Sequence, residues 1–284
     1  MSKILITGAT GLIGGEISKL LQRLNTPHRV LVRNSSGYKS VDSELVEVIE
    51  GRFEDPQSLQ KALAGISHSF LASFDRPDAI DLQRNFIDAA RDCGVKHIVR
   101  MSTIGIEVSQ QLPIFAWHGK CEAQLEASGM SYTHLQPAWV MQNFLGLVQE
   151  GVIRLPAGDG QSGFVDARDI AAVAVEALTK PGHADKSYQM SSEVLSHYDI
   201  ARIISEACGQ PIAYEDVSLE EYQREITRSG WPESDIVTMV GLYSNIRKGA
   251  GFDAIVTSTI EEVLGRPGLT FSEFANDYAS CFKI

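Results

Sequence analysis

Over the first 137 residues, short apolar runs alternate with longer stretches in which apolar residues recur every third or fourth position. Residues 3–7 (Lys-Ile-Leu-Ile-Thr) are an apolar run of strand length, and Ile13, Ile17, Leu20, Leu21 and Leu24 then fall on one helix face. Further strands are predicted at 28–32, 46–49, 69–72, 95–101 and 131–136, with helices between them. One helix starts at Asp55-Pro56 and carries Leu59, Ala62 and Leu63; others run over 80–93 and 114–127, stopping at Gly94 and before Gly129. Strands separated by helices of this length predict a parallel sheet covered on both faces and joined by right-handed crossovers.

After Pro137 the pattern changes. Residues 139–147 are apolar, then Gly151, Pro156, Gly158, Gly160 and Gly163 break the chain into loops. A helix at 166–178 and a last strand at 187–190 follow. From Ser196 the chain reads as mostly helical, with turns at Gly209-Gln210-Pro211, Gly230-Trp231-Pro232 and Gly265-Arg266-Pro267-Gly268. The expected organisation is α/β, with a doubly wound parallel sheet in residues 1–137, rejoined by 164–190. Residues 138–163 and 191–284 are expected to form a smaller, mainly helical lobe. A substrate pocket is expected between the two, beyond the carboxyl ends of the strands.

The junction of the first strand and first helix carries the strongest chemical signal. Residues 8–14 read Gly-Ala-Thr-Gly-Leu-Ile-Gly, and glycines at this spacing between a strand and a helix are a dinucleotide fingerprint. Gly8 permits the tight turn, Gly11 leaves room for a pyrophosphate and Gly14 lets the helix lie close on the strand. The amides at the helix start, at Leu12 and Ile13, then face the phosphates, and Thr10 adds a hydroxyl. The second strand ends in Val32-Arg33-Asn34, with Lys39 close behind. A carboxylate there would select NAD(H), whereas Arg33 offers charge-assisted bonds to a 2′-phosphate, so NADP(H) is expected in preference to NAD(H). Arg52 and Phe53, after the third strand, are placed at the adenine. Ala72 and Ser73, Ser102 and Pro137, at the ends of the fourth, fifth and sixth strands, complete the expected cofactor set. A Ser102-Thr103 pair at a strand end equally caps a turn. Trp139 and Phe144, just past Pro137, are the candidate walls for an apolar, planar substrate.

Composition narrows the field. The 284 residues are 44% hydrophobic and 21% charged, as in ordinary soluble domains. A net charge of -11 disfavours nucleic acid and anionic membrane surfaces as partners. The four cysteines are scattered, so neither a disulfide framework nor a metal site is expected. No apolar run approaches the ~18 residues of a membrane span. With a first strand starting at residue 3 no leader is expected, and the expected location is cytoplasmic. A homodimer is left open.

Several of these segments together resemble the NmrA-like group of atypical short-chain dehydrogenases/reductases. They are residues 7–14, Arg33, 97–103, 117–122, 128–133, Gln136-Pro137, 141–143, 164–171, 263–267 and 270–274, nearly the whole chain. The resemblance implies a Rossmann fold with a small C-terminal substrate lobe. It also implies an activity like that of NAD(P)H-dependent quinone and azo-dye reductases or festuclavine-type reductases, or alternatively a nucleotide-sensing regulator without turnover. Ordinary members of the wider group use a Tyr-x-x-x-Lys pair for proton transfer, and this chain has none; Ala116 stands four residues before Lys120. His118 and Lys120 on that helix are the remaining catalytic candidates, with Glu122 one turn from His118 and able to pair with it. A direct hydride transfer to a quinone, azo compound or iminium needs no strong protein acid, since positioning supplies much of the rate.

Overall fold

Residues 28–32 are buried at every position, the mark of a strand enclosed in a parallel sheet. The structure, a computed structural model, describes residues 3–38, 44–72, 77–107, 111–249 and 253–283. Its first elements are β1 (Lys3–Thr7), α1 (Leu12–Arg23), β2 (His28–Val32), β3 (Val46–Glu50), α2 (Pro56–Leu63), β4 (Ile66–Leu71), α3 (Ala79–Asp92), β5 (His97–Met101), α4 (Pro113–Glu126) and β6 (Ser131–Pro137). There follow β7 (Trp139–Val140), β8 (Val148–Gln149), β9 (Val152–Leu155), β10 (Gln161–Val165), α5 (Ala167–Thr179), β11 (Lys186–Met190) and β12 (Glu193–Ser196). The chain closes with α6 (His197–Cys208), β13 (Ala213–Asp216), α7 (Leu219–Arg228), α8 (Glu233–Arg247), α9 (Thr259–Leu264) and α10 (Phe271–Asp277).

Seven strands form one sheet in the order β11-β6-β5-β4-β1-β2-β3, and the pairs from β6 through to β3 are parallel. Leu5 faces a core shared with Leu59 and Leu63 of α2 and Phe86 of α3. Its neighbours Ile4 and Ile6 are also buried and point the other way by strand alternation, so apolar packing covers both faces. This is the α/β Rossmann-type sheet the sequence predicts. Strand order reverses between β1 and β4, the place where doubly wound sheets open a crevice for ligands.

Two compact units emerge: Met1–Thr103, Trp117–Gln136 and Ala167–Tyr188 in the first, and Ile104–Ala116, Pro137–Asp166 and Gln189–Ile284 in the second. Residues 104–116, assigned to the 1–137 domain on sequence, group with the second unit. The Ile104 amide bonds to the Pro137 carbonyl, and Leu112 fills the space beside Gly241. The second unit contains α6–α10 and two three-stranded sheets, β12-β10-β7 and β13-β9-β8. Residues 151–163, expected to be loops, therefore hold two strands. Gly163 marks close packing within β10: a Cβ there would stand 2.3 Å from the Asp253 carbonyl oxygen. The rings of Phe144, Phe164 and Phe271 meet edge-on in the core of this unit. No helix among the described residues is long and apolar enough to cross a membrane.

Candidate nucleotide site

At the strand-order reversal, Thr7 ties β1 to the end of β4. Its hydroxyl oxygen accepts from the Ala72 amide at 2.8 Å, and its hydroxyl faces the Ala72 and Phe70 carbonyls at 3.0 and 3.1 Å. Gly8 then turns the chain at φ +65°, a left-handed conformation that a side chain would strain, and its carbonyl accepts from the Gly11 amide at 2.9 Å. No side chain caps α1 at Gly11, so acceptors for its first-turn amides must come from outside the helix. A Cβ on Gly14 would lie 2.4 Å from the Gly8 carbonyl oxygen and 2.9 Å from that of Thr7. Only glycine lets the helix start come this close to the turn.

A cavity of 530 Å³ opens over this junction. Gly8, Thr10, Gly11, Leu12 and Ile13 line it, with Arg33 beyond β2, Arg52 and Phe53 beyond β3, and Ala72 beyond β4. The sequence placed each of these at a cofactor. It missed Thr7, Leu82 and Met101, which come from three separate elements, and Glu54 beside the Arg52-Phe53 turn. That turn is held by side chains: the Ser58 hydroxyl accepts from the Arg52 amide at 3.0 Å, and the Asn85 amide donates to the Phe53 carbonyl at 3.1 Å. The Phe53 ring rests on Phe86 with centroids 5.2 Å apart. The Arg33 turn is held likewise: the Ser35 amide and hydroxyl both donate to Glu50, at 2.8 and 2.6 Å. Those two donors keep the Glu50 carboxyl below its ordinary range.

Other candidates lie elsewhere. Ser102 is 3% exposed and does not line the cavity, and its hydroxyl has no hydrogen-bond partner among the described residues. Pro137 is buried in the second unit. Ser73 and Lys39 fall outside the described residues. Phe144, 3% exposed, belongs to the core of the second unit. Trp139 is half-buried, packs at a tilt against Tyr243 with ring centroids 5.8 Å apart, and hydrogen-bonds to Asp253. Burial raises the Asp253 carboxyl above its ordinary value.

The helix candidates are separated by their surroundings. Lys120 is exposed. His118 is buried, and its Nδ1 lies 3.1 Å from the guanidinium of Arg100, which is 0% exposed. A guanidinium only donates, so Nδ1 accepts and the neutral ring carries its proton on Nε2. Arg100 also donates to Gln83 at 2.7 Å and stands 3.9 Å from Glu122. Both oxygens of Glu122 accept from the Gln136 amide, at 3.0 and 3.2 Å. Arg100 thus approaches both His118 and Glu122, the two residues whose pairing the helix spacing suggests. Glu122, Glu126 and His134 also bring one ligand atom each to within 4.8 Å of one another, an arrangement the sequence reading did not foresee.

The described site has the parts of a pyridine-nucleotide cradle: a glycine turn, uncapped helix amides and a cation beyond the second strand. The model of the NmrA-like family matches residues 1–275. An NAD(P)H azoreductase of Xenophilus azovorans is 37% identical over 98% of this chain and 99% of its own length. A triphenylmethane reductase of a Citrobacter species, solved with NADP(H), superposes with a TM-score of 0.84 at 29% identity, over 97% of this chain and 99% of that one. An NADPH-dependent quinone oxidoreductase of Escherichia coli, solved with NADPH, gives a TM-score of 0.84 at 26% identity, over 96% and 99% of the two chains. By sequence and by fold along nearly its full length, this chain is a member of the NmrA-like family.

Proposed function

We propose that the protein is an NADP(H)-dependent reductase of small conjugated electrophiles of the quinone, azo or imine type. The observation that carries this is the cavity over the β1–β4 reversal, with α1 uncapped at one side and Arg33 at another. The azo, triphenylmethane and quinone reductases among its relatives support the substrate class. The bound nucleotide would supply the hydride. The amides of Leu12 and Ile13 would hold its diphosphate, Arg33 its 2′-phosphate, and Arg52 and Phe53 its adenine. His118, its ring oriented by Arg100, is the proposed proton carrier, Lys120 the proposed ribose contact and Trp139 the proposed substrate wall.

The test is NADPH oxidation by the purified chain against a panel of quinones, azo dyes and triarylmethane dyes. The expected result is turnover that depends on both acceptor and protein. Tight NADPH binding with no turnover across the panel would overturn the reductase assignment and leave a nucleotide-binding protein.

A further inference from the structure

We propose that Tyr38, Ser18 and His28 form a hydrogen-bonded latch that holds the Arg33 loop in register for a 2′-phosphate. Tyr38 then acts as a positioning residue in the choice between phosphorylated and unphosphorylated dinucleotides. The proposal rests on the nucleotide assignment above and adds to it the device that fixes the loop.

Ser18 is a hydroxyl on the buried side of α1, which otherwise presents Gly14, Ile17 and Leu21. A hydroxyl at 2% exposure is costly unless it is bonded. Ser18 Oγ lies 2.8 Å from His28 Nε2 and 2.9 Å from the Tyr38 hydroxyl, with the Gln22 amide farther off at 3.4 Å. The direction of the chain follows from its far end. His28 Nδ1 sits 3.0 Å from the Thr26 carbonyl oxygen, which can only accept, so Nδ1 bears the ring proton. Burial lowers the His28 pKa, which keeps the ring neutral and leaves Nε2 bare. Ser18 therefore donates to His28, and its free lone pairs accept the proton of Tyr38. Each proton has one place to go.

The latch closes one end of a short loop. Arg33 follows β2 directly, then Asn34, the 3-10 turn Ser35–Gly37 and Tyr38. The other fastening is Glu50 on Ser35, with the Asn34 side chain accepting from the Ser36 amide at 2.9 Å. Arg33 stands beside these fastenings, so its backbone is fixed before any ligand arrives and less ordering remains to be done on binding. Ser18 also lies about one turn beyond Gly14 on α1. One rigid helix thus carries both the amides at the diphosphate end and the anchor of the loop at the 2′ end.

The experiment compares wild type, Tyr38→Phe and Ser18→Ala by calorimetry with NADPH, NADH, 2′,5′-ADP and 5′-AMP, melting curves confirming that each variant is folded. Tyr38→Phe keeps the ring and removes only the donor. Both variants are expected to bind NADPH and 2′,5′-ADP about three- to tenfold more weakly, the worth of one hydrogen bond, with NADH and 5′-AMP unchanged. Equal losses for all four ligands, or no loss in either variant, would overturn the latch. If wild type does not distinguish 2′,5′-ADP from 5′-AMP and Arg33→Ala is silent, the cofactor assignment itself fails, and the latch with it.

Discussion

Gly14→Ala is the sharpest test of the nucleotide cradle, because its neighbour supplies the control. A Cβ at position 14 would meet the Gly8 carbonyl oxygen at 2.4 Å, its carbon at 2.6 Å and the Thr7 oxygen at 2.9 Å. Carbon–oxygen contacts relax at about 3.3–3.6 Å, so helix and turn must separate by about 1 Å. All three obstacles are backbone atoms and none can rotate aside. Overpacking of this kind costs about 1–3 kcal/mol, and a backbone clash belongs at the upper end. Against it stands the helix-propensity gain of about 1 kcal/mol for alanine over glycine, leaving a net loss near ~2 kcal/mol. At Gly15 the same Cβ meets only the Ala9 oxygen, at 3.4 Å, an ordinary contact. Gly15→Ala should therefore be stabilising by about 1 kcal/mol, and the two neighbours should differ by ~3 kcal/mol in urea denaturation without nucleotide. The displaced amides should also weaken NADPH binding by about 10- to 150-fold, the equivalent of one or more charge-assisted hydrogen bonds. Gly14→Ala as stable as Gly15→Ala, or destabilised with its nucleotide affinity intact, would refute the reasoning.

Three further outcomes are expected. Arg33→Asp should weaken NADPH at least about tenfold more than NADH, read as the ratio of dissociation constants; equal losses would exclude a 2′-phosphate contact. Arg100→Leu removes the buried cation shared by Gln83, His118 and Glu122 and should cost about 3–5 kcal/mol in urea denaturation, and a loss below ~1 kcal/mol would show that the guanidinium is not their organiser. His197, enclosed by Phe144, Phe164, Tyr214 and Tyr243, has its pKa lowered by burial from 6.5 to about 4. Above pH 6.5 the ring is neutral in both states. Between 6.5 and about 4 the unfolded chain takes up a proton that the folded one refuses, so stability falls as pH drops, by roughly 3 kcal/mol in all. His197→Phe should flatten that part of the pH–stability curve; an unaltered slope would remove His197 as its source.

What could be read from the sequence was whatever neighbouring residues decide among themselves. β2 was legible to the residue because every position in it is buried. The start of α2 was legible because the Asp55 carboxylate accepts from the Gln57 amide, and the end of α6 because Gly209 closes it at φ +70°. β4 begins at Ile66, three residues before the predicted start, since Ser67 and His68 interrupt the apolar run although His68 pairs with Ile4 in the sheet. The glycine turn and Arg33 stood out for the same local reason. Arg100 did not: its partners arrive from α3 and α4, and only tertiary packing brings them to one guanidinium. Trp139 and Phe144 look equivalent in the sequence, yet the 3-10 turn over Met141–Gly146 carries Phe144 into the core and leaves Trp139 half-buried. Thr7, Leu82 and Met101 converge on the cavity from elements far apart in the chain, and no spacing rule announces them.

The bare start of α1 bears on how long the protein lasts as well as on what it holds. A dinucleotide docked there completes a helix, so it favours the folded chain by mass action. Ligand at a hundred times its dissociation constant adds about 2.7 kcal/mol, roughly a hundredfold fewer opened molecules for proteases to find. Abundance in the cell should then follow the total supply of the dinucleotide, whichever its redox state.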